Sequence, residues 1–272
     1  MTDPRFFTTS ILSVRRGLVL RGGGRERVPL RVRVGHFHHP ELGHTLIDTG
    51  YASRVVSGGD DWTLGLYRLL LRPSLVNDAP LEAGLVRLGL AIGDIETVIV
   101  THFHADHIGG LRDLPHARIV CSRTAWESCR RAGRINNARA GVFETLLPDD
   151  LESRLLFVED MQTPTGTPGE FDVTSDGAVR AVALPGHLDG QIGLRFSYTT
   201  PPFLYAADAT WSLDALKEDR LPGFPIDRVH HDRAAARSSV ETVRGFMAAG
   251  DDVLLCHDWH IHPRDLDGDV TG

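Results

Sequence analysis

Cysteine is scarce: Cys121, Cys129 and Cys256 are the only three in 272 residues. An odd number without paired spacing excludes a disulfide framework and a thiolate zinc knuckle, and points to a reduced, cytoplasmic setting. No apolar run reaches 18 residues, which argues against a membrane-spanning helix. Met1-Thr2-Asp3-Pro4-Arg5 lacks a basic stretch leading into an apolar one, so no export signal is expected. Positive charge is in deficit, with 29 Lys and Arg against 36 Asp and Glu and a net charge of −7. That balance argues against a generic grip on nucleic acid, which rests on cationic side chains. Internal repeats, low-complexity tracts and linkers are also missing. One soluble domain over 1–272 is therefore expected, with an ordinary apolar content of 42%.

What is present is concentrated at Thr101-His102-Phe103-His104-Ala105-Asp106-His107-Ile108-Gly109-Gly110. The run Val98-Ile99-Val100 before it reads as a buried strand ending in a loop. His102 and His104, two apart in extended chain, point to one side. With Asp106 and His107 they make four nitrogen and oxygen ligands within six residues. Such a set suits zinc or a similar first-row ion, and one short loop can present it to two adjacent ions.

Other strands end in the same way. Leu30 to Val34 alternates apolar and polar as a half-buried strand does, and Thr45-Leu46-Ile47 ends at Asp48. Strands are also expected at 117–121, 154–158, 178–184, 191–198, 203–207 and 253–256. Ser175-Asp176-Gly177 is a hairpin signal, and Met161 to Glu170 reads as a loop. Helices are expected over Pro80 to Leu90, over Arg123 to Arg131, and from a cap at Asp232 to Gly250. The stretch 133–150 shows no pattern. His187, Asp208 and His257 each follow a strand, as Asp48 does. Taken singly they read as a turn histidine, a strand-end cap, a core histidine and a turn carboxylate; five such ends at one sheet edge would make a site. His36, His38, His39 and His44 crowd one region without ligand-like placement, and His260 and His262 lie near enough in sequence to His257 to line a pocket. The apolar segment at about 51–80, with Trp62, Leu66, Tyr67, Leu69 and Leu70, reads as a lid, a substrate wall, a core layer or a homodimer contact.

Leu46-Ile47-Asp48-Thr49-Gly50, His-x-His-x-Asp-His at 102–107, Pro185-Gly186-His187, Ala207-Asp208-Ala209 and Cys256-His257-Asp258 follow one another in an order that resembles the metallo-β-lactamase-fold hydrolases. Within them the spacings and the insertion look most like the N-acyl homoserine lactone lactonases and their relatives. The resemblance implies an α/β fold, a four-layer αββα sandwich, with two Zn²⁺ ions at the sheet edges. It places His102, His104 and His187 on the first metal, Asp106, His107 and His257 on the second, and Asp208 between them. It also implies a bridging hydroxide attacking a lactone carbonyl, with Asp106 orienting the nucleophile. Asp48 is left a supporting role, accepting a proton from a ligand imidazole.

Nitrogen and oxygen ligands also accept iron, manganese or cobalt. Trp211 stands where those lactonases carry a tyrosine, and 188–191 departs from their usual pattern, which touches specificity rather than metal hydrolysis. The same ligand set suits a phosphodiesterase or nuclease, a thioesterase of the glyoxalase II type would want a basic motif after Asp208, and a persulfide-type iron oxygenase would use only part of the set. A metal-binding or sensory protein without catalysis is the remaining alternative.

Overall fold

Strands that are apolar on both faces need cover on both, and this chain supplies it with two sheets face to face and helices outside each. In the computed structural model, residues 1–57, 61–161, 167–223 and 230–268 are described. The strands are β1 (Arg5–Arg15), β2 (Arg27–His39), β3 (Gly43–Ile47), β4 (Ser74–Leu75), β5 (Ile95–Ile99), β6 (Arg118–Cys121), β7 (Leu155–Phe157), β8 (Glu170–Asp172), β9 (Val179–Ala183), β10 (Ile192–Phe196), β11 (Phe203–Tyr205) and β12 (Asp252–Leu254). The helices are α1 (Arg16–Val19), α2 (Ser53–Ser57), α3 (Trp62–Leu71), α4 (Pro80–Arg87), α5 (Ala105–Ile108), α6 (Arg123–Arg139), α7 (Leu151–Arg154), α8 (Leu213–Lys217) and α9 (Arg233–Ala248). One sheet runs β4-β1-β2-β3-β5-β6-β7 and the other β12-β11-β10-β9-β8. Both are mixed: β3, β5, β6 and β7 pair in parallel, as do β11 and β12, and the other pairings are antiparallel.

The pleat sorts side chains into layers. Ile47, Ile99 and Val120 meet Val179, Leu194, Phe203 and Tyr205 between the sheets. Their neighbours Leu46, Val98 and Ile119 face outward, packed with Leu81 and Leu85 of α4 and Ala125 of α6. On the far side Val182, Leu204 and Val253 pack against Leu216 of α8 and Val240 and Val243 of α9. The four layers of the αββα sandwich follow from these three cores.

Several expectations are amended. The strand β1, pairing with β2 from Arg27 to His36, was not foreseen; its Thr8-Thr9-Ser10 breaks the apolar pattern, yet all three are buried. Moreover β2 is not half-buried: Arg31 and Arg33 are 1% and 0% exposed, on the inner face. The fork of Arg33 meets Asp265 at 2.9 Å through both Nε and Nη2, so its charge is paired rather than solvated. The helix foreseen over 123–131 is followed, beyond a non-helical kink at Gly133 (φ 69°), by a second helical segment that ends at Arg139, the two together making α6. Asp232 caps α9 as expected, accepting from the amides of Ala234 and Ala235. The loop foreseen at 161–170 falls partly on 162–166, outside the described residues.

The apolar segment at 51–80 forms α2, α3 and β4. Leu64 packs into the outer core and Tyr67 lies against it, whereas Trp62, Leu69 and Leu70 are 67%, 64% and 72% exposed. Asp61 caps α3 and binds Thr63, Arg134 and Thr145.

Candidate metal centre

Five strands of the two sheets end at one edge and deliver the polar residues named above. After β5 comes the His102 loop; after β3, Asp48; after β9, β11 and β12 come His187, Asp208 and His257. All are buried. The loop after β5 can sit this close to its neighbours because Gly109 has no side chain: a Cβ there would lie 2.6 Å from the carbonyl oxygen of Gly50. Asp48 and Ala207 hold left-handed φ angles of 60° and 45°, conformations that persist where surrounding structure over-determines them.

Two groups of ligand atoms result. In the first, Nδ1 of His104 lies 3.0 Å from Nε2 of His102 and 3.0 Å from Nε2 of His187. Three ring nitrogens converge on one point, more than a single proton can satisfy. In the second, Nε2 of His257 lies 3.2 Å from Asp106 Oδ2 and 3.0 Å from Asp208 Oδ2. Nε2 of His107 lies 3.7 Å from Asp106 Oδ2 and 3.5 Å from Asp208 Oδ1. Asp208 also approaches the first group, 3.3 Å from Nε2 of His187. Each group draws on both sheets.

Of the five ring nitrogens turned away from these points, Nδ1 of His187 is buried without a hydrogen-bond partner among the described residues, and the other four are held in turn. His107 Nδ1 donates to Asp48 at 2.8 Å, and Asp48 also accepts from the amide and hydroxyl of Thr101. His257 Nδ1 donates to the carbonyl of Arg31 at 2.7 Å. His102 Nδ1 meets the Thr101 hydroxyl at 3.1 Å, and His104 bonds the backbone of Ala140. Such bonds fix each tautomer and leave the other nitrogen as a lone-pair donor.

Burial holds His102, His104 and His187 below the ordinary imidazole value, so they are neutral, as metal ligands must be. Burial presses His107 and His257 the same way, but Asp48 and Asp208 outweigh it and carry both well above. Burial opposes ionisation of Asp106 as well, yet His107 and His257 bring its carboxyl down to about 2. A field that favours protons on two imidazoles also favours a cation in their place.

The donor set fits a metal on a further count. Of the atoms that face these points, His107 Nε2 and Asp208 Oδ1 are buried without a hydrogen-bond partner among the described residues, as ligand atoms aimed at an ion would be. The structure thus holds two buried metal-binding groups of His and Asp side chains.

Around them, Trp211 donates from Nε1 to Asp208 Oδ2 at 3.0 Å and stands edge-to-face to both His187 and His257. Tyr67 stacks edge-on against Phe143, and its hydroxyl lies 2.6 Å from that of buried Tyr51. Trp62 is exposed at the start of α3. His260 and His262 bond Asp214 and Asp252. His36 and His44 bond each other at 3.2 Å, and burial lowers His36 to about 4.

Cys256, Arg31, Arg33 and Tyr51 carry no sign of a place at the site in their local sequence. The sulfur of Cys256 lies within 4.8 Å of ligand atoms of His107, Asp208 and His257, but its thiol donates to the carbonyl of Arg33 at 3.8 Å. A basic pair on an alternating strand gave no signal of burial.

Residues 40–249 match the model of the metallo-β-lactamase superfamily. Among curated proteins, the chain is 27% identical over 215 residues to an N-acyl homoserine lactonase, AttM, of Rhizobium radiobacter, covering 76% of this chain and 71% of that one. Its counterpart in Azorhizobium caulinodans is 28% identical over the same lengths. Among solved structures, an N-acyl homoserine lactone hydrolase with N-hexanoyl-L-homoserine at its metal centre superposes with a TM-score of 0.70 at 19% identity, over 94% of this chain and 92% of that one. The dizinc lactonase AidC gives 0.66 at 16% identity, over 92% and 85%.

Proposed function

The chain belongs to the metallo-β-lactamase superfamily and is a metal-dependent hydrolase of that fold; from this premise we propose that it opens a lactone, with acyl homoserine lactones the first class to consider. The observation that carries the proposal is Asp208, one carboxylate reaching both ligand groups. His102, His104 and His187 would hold one divalent cation, Asp106, His107 and His257 a second, and Asp208 would share them. A set rich in nitrogen suits Zn²⁺, and iron, manganese or cobalt would bind with the same ligands. When bound, such a pair supplies a water acidified toward neutral pH and a Lewis acid at the ester carbonyl.

The protein's own groups do the rest. Asp106, buried between His107 and His257, is the carboxylate we assign to accept a hydrogen bond from the attacking water. Asp48 holds His107 in the tautomer that leaves Nε2 free. Trp211 has its only N–H committed to Asp208, so it walls the site rather than assisting the substrate carbonyl. The hydroxyls of Tyr51 and Tyr67 are the neutral donors we assign to the acyl side. The exposed apolar face of α3 is proposed as the contact of a homodimer, and neither nucleic acid nor membrane is assigned as a partner.

The similarity to lactonases over three quarters of the chain favours a lactone over a phosphodiester, as does the net charge of −7. The test couples elemental analysis to pH-stat hydrolysis of acyl homoserine lactones, simple lactones, a thioester and a phosphodiester. About two metals per chain with lactone opening is the expected result. Phosphodiester cleavage alone, or one iron without hydrolysis, overturns the reading.

A further inference from the structure

We propose that Arg33, together with Asp265, is a positioning residue that sets the second ligand group by holding the loop that carries His257. The inference rests on the two-metal reading above.

Every N–H of this buried guanidinium has a partner. Nε and Nη2 form a fork with the two carboxylate oxygens of Asp265, each at 2.9 Å. Nη1 donates to the carbonyls of Leu255, Cys256 and Asp258 at 3.2, 3.1 and 2.7 Å, and Nη2 donates to that of His260 at 2.7 Å. Four carbonyls from 255 to 260 therefore point at one cation, and His257 lies among them. The residue two before it on β2, Arg31, accepts the Nδ1–H of His257 on its backbone oxygen. One short piece of β2 thus fixes both the path of the loop and the ring orientation.

Asp265 is itself anchored. Phe6 donates to the carbonyl of Arg264 at 2.9 Å and accepts from the amide of Leu266 at 2.7 Å, which binds the segment around Asp265 to β1. Arg87 of α4 bonds Asp267 and the carbonyl of Leu266. The segment 264–267 is thereby strapped to the rigid sheet, and the carboxylate of Asp265 keeps the guanidinium plane fixed.

Only a planar, five-donor cation can serve a carboxylate fork and a ring of carbonyls together. A lysine offers three donors from one point. With the loop loosened, His257 loses its fixed approach to Asp106 and Asp208, whereas the hydrogen bonds of Arg33 all go to residues 255–265 and none to His102, His104 or His187. Changes to supporting groups of this kind commonly lower metal affinity about 10- to 100-fold, and here the loss should fall on one ion of two.

The test uses the purified, metal-loaded protein and its Arg33→Lys and Asp265→Asn variants. Each is equilibrated against graded EDTA, retained metal is measured by elemental analysis, and the unfolding midpoint is read by circular dichroism on the same samples. Wild type should release its two ions in overlapping steps. Arg33→Lys should give up one ion at about 10- to 100-fold lower chelator and keep the other as wild type does. Asp265→Asn, which keeps the guanidinium and weakens only the fork, should fall between them and decides the matter if Arg33→Lys does not fold. Variants that melt earlier but release both ions as wild type does would reduce Arg33 to a structural role and overturn the proposal. A wild type that holds a single ion would overturn the two-metal reading and this inference with it.

Discussion

The indole N–H of Trp211 donates to Oδ2 of Asp208 at 3.0 Å, and that same oxygen lies 3.0 Å from Nε2 of His257 and 3.3 Å from Nε2 of His187. The carboxylate that reaches both ligand groups is therefore held by a neutral donor outside them. Trp211→Phe keeps an aromatic wall and removes the donor. It should leave KM within about twofold and lower kcat about tenfold, the scale of one hydrogen bond to a charged group. Unchanged kcat in steady-state kinetics would leave the indole a packing role only.

His104→Ala and Asp208→Asn should each lose bound metal together with hydrolysis. His38→Ala, half-buried near the end of β2 against His44 and outside both ligand groups, should change neither by more than about twofold. Elemental analysis beside activity on one preparation separates these outcomes. Full activity in Asp208→Asn with no second ion would disprove the shared-carboxylate reading.

Asp48→Asn replaces the acceptor of the His107 Nδ1 proton by a group that can present a donor there. Weakening of metal binding by about 10- to 100-fold is expected. Chelator titration of the variant reads it directly.

Asp61 gives a pH dependence. Burial disfavours its ionised form, but the bonds from Thr63, Arg134 and Thr145 outweigh burial and hold its carboxyl at about 2. A carboxyl depressed on folding contributes stability that is complete above its unfolded value and is lost as pH falls toward the folded one. Loosening of α3 is therefore expected between about pH 4 and pH 2, and Asp61→Ala, which lacks the cap as well, should cost about 1–2 kcal/mol at neutral pH. Urea unfolding at several pH values tests both; equal acid sensitivity in wild type and variant would acquit Asp61.

Tyr67 and Trp62 separate the roles proposed for α3. Removing the buried-side hydroxyl in Tyr67→Phe should shift kcat/KM between short- and long-chain acyl lactones by about three- to tenfold, within the range of one hydrogen bond. Trp62→Ala should leave that ratio alone and alter only self-association, as sedimentation would show. A selectivity change in Trp62→Ala with none in Tyr67→Phe would reverse the assignment.

Much of the site was legible because its chemistry is written locally. Four candidate ligands fall in six residues, and His187, Asp208 and His257 each close a run that reads as a strand. The geometry places all of them together, and Asp48 beside His107. What was not legible depends on partners far away in sequence. Arg33 finds Asp265 some 230 residues later, and alternation alone cannot distinguish an arginine in water from one whose every N–H is matched inside. Likewise β1 hides behind Thr8-Thr9-Ser10, whose burial becomes visible only with β2 alongside. The kink at Gly133 concealed the second half of α6 in the same way.

Each ligand group takes some side chains from the sheet that carries β5 and others from the sheet that carries β9, β11 and β12. Ions held there would act as cross-links between the two halves of the sandwich, so occupancy and melting temperature should rise together. At a free metal concentration of about a thousand times the dissociation constant, each ion adds about 4 kcal/mol to the folded state. Scarcity of metal would then shorten the life of the molecule as well as silence it.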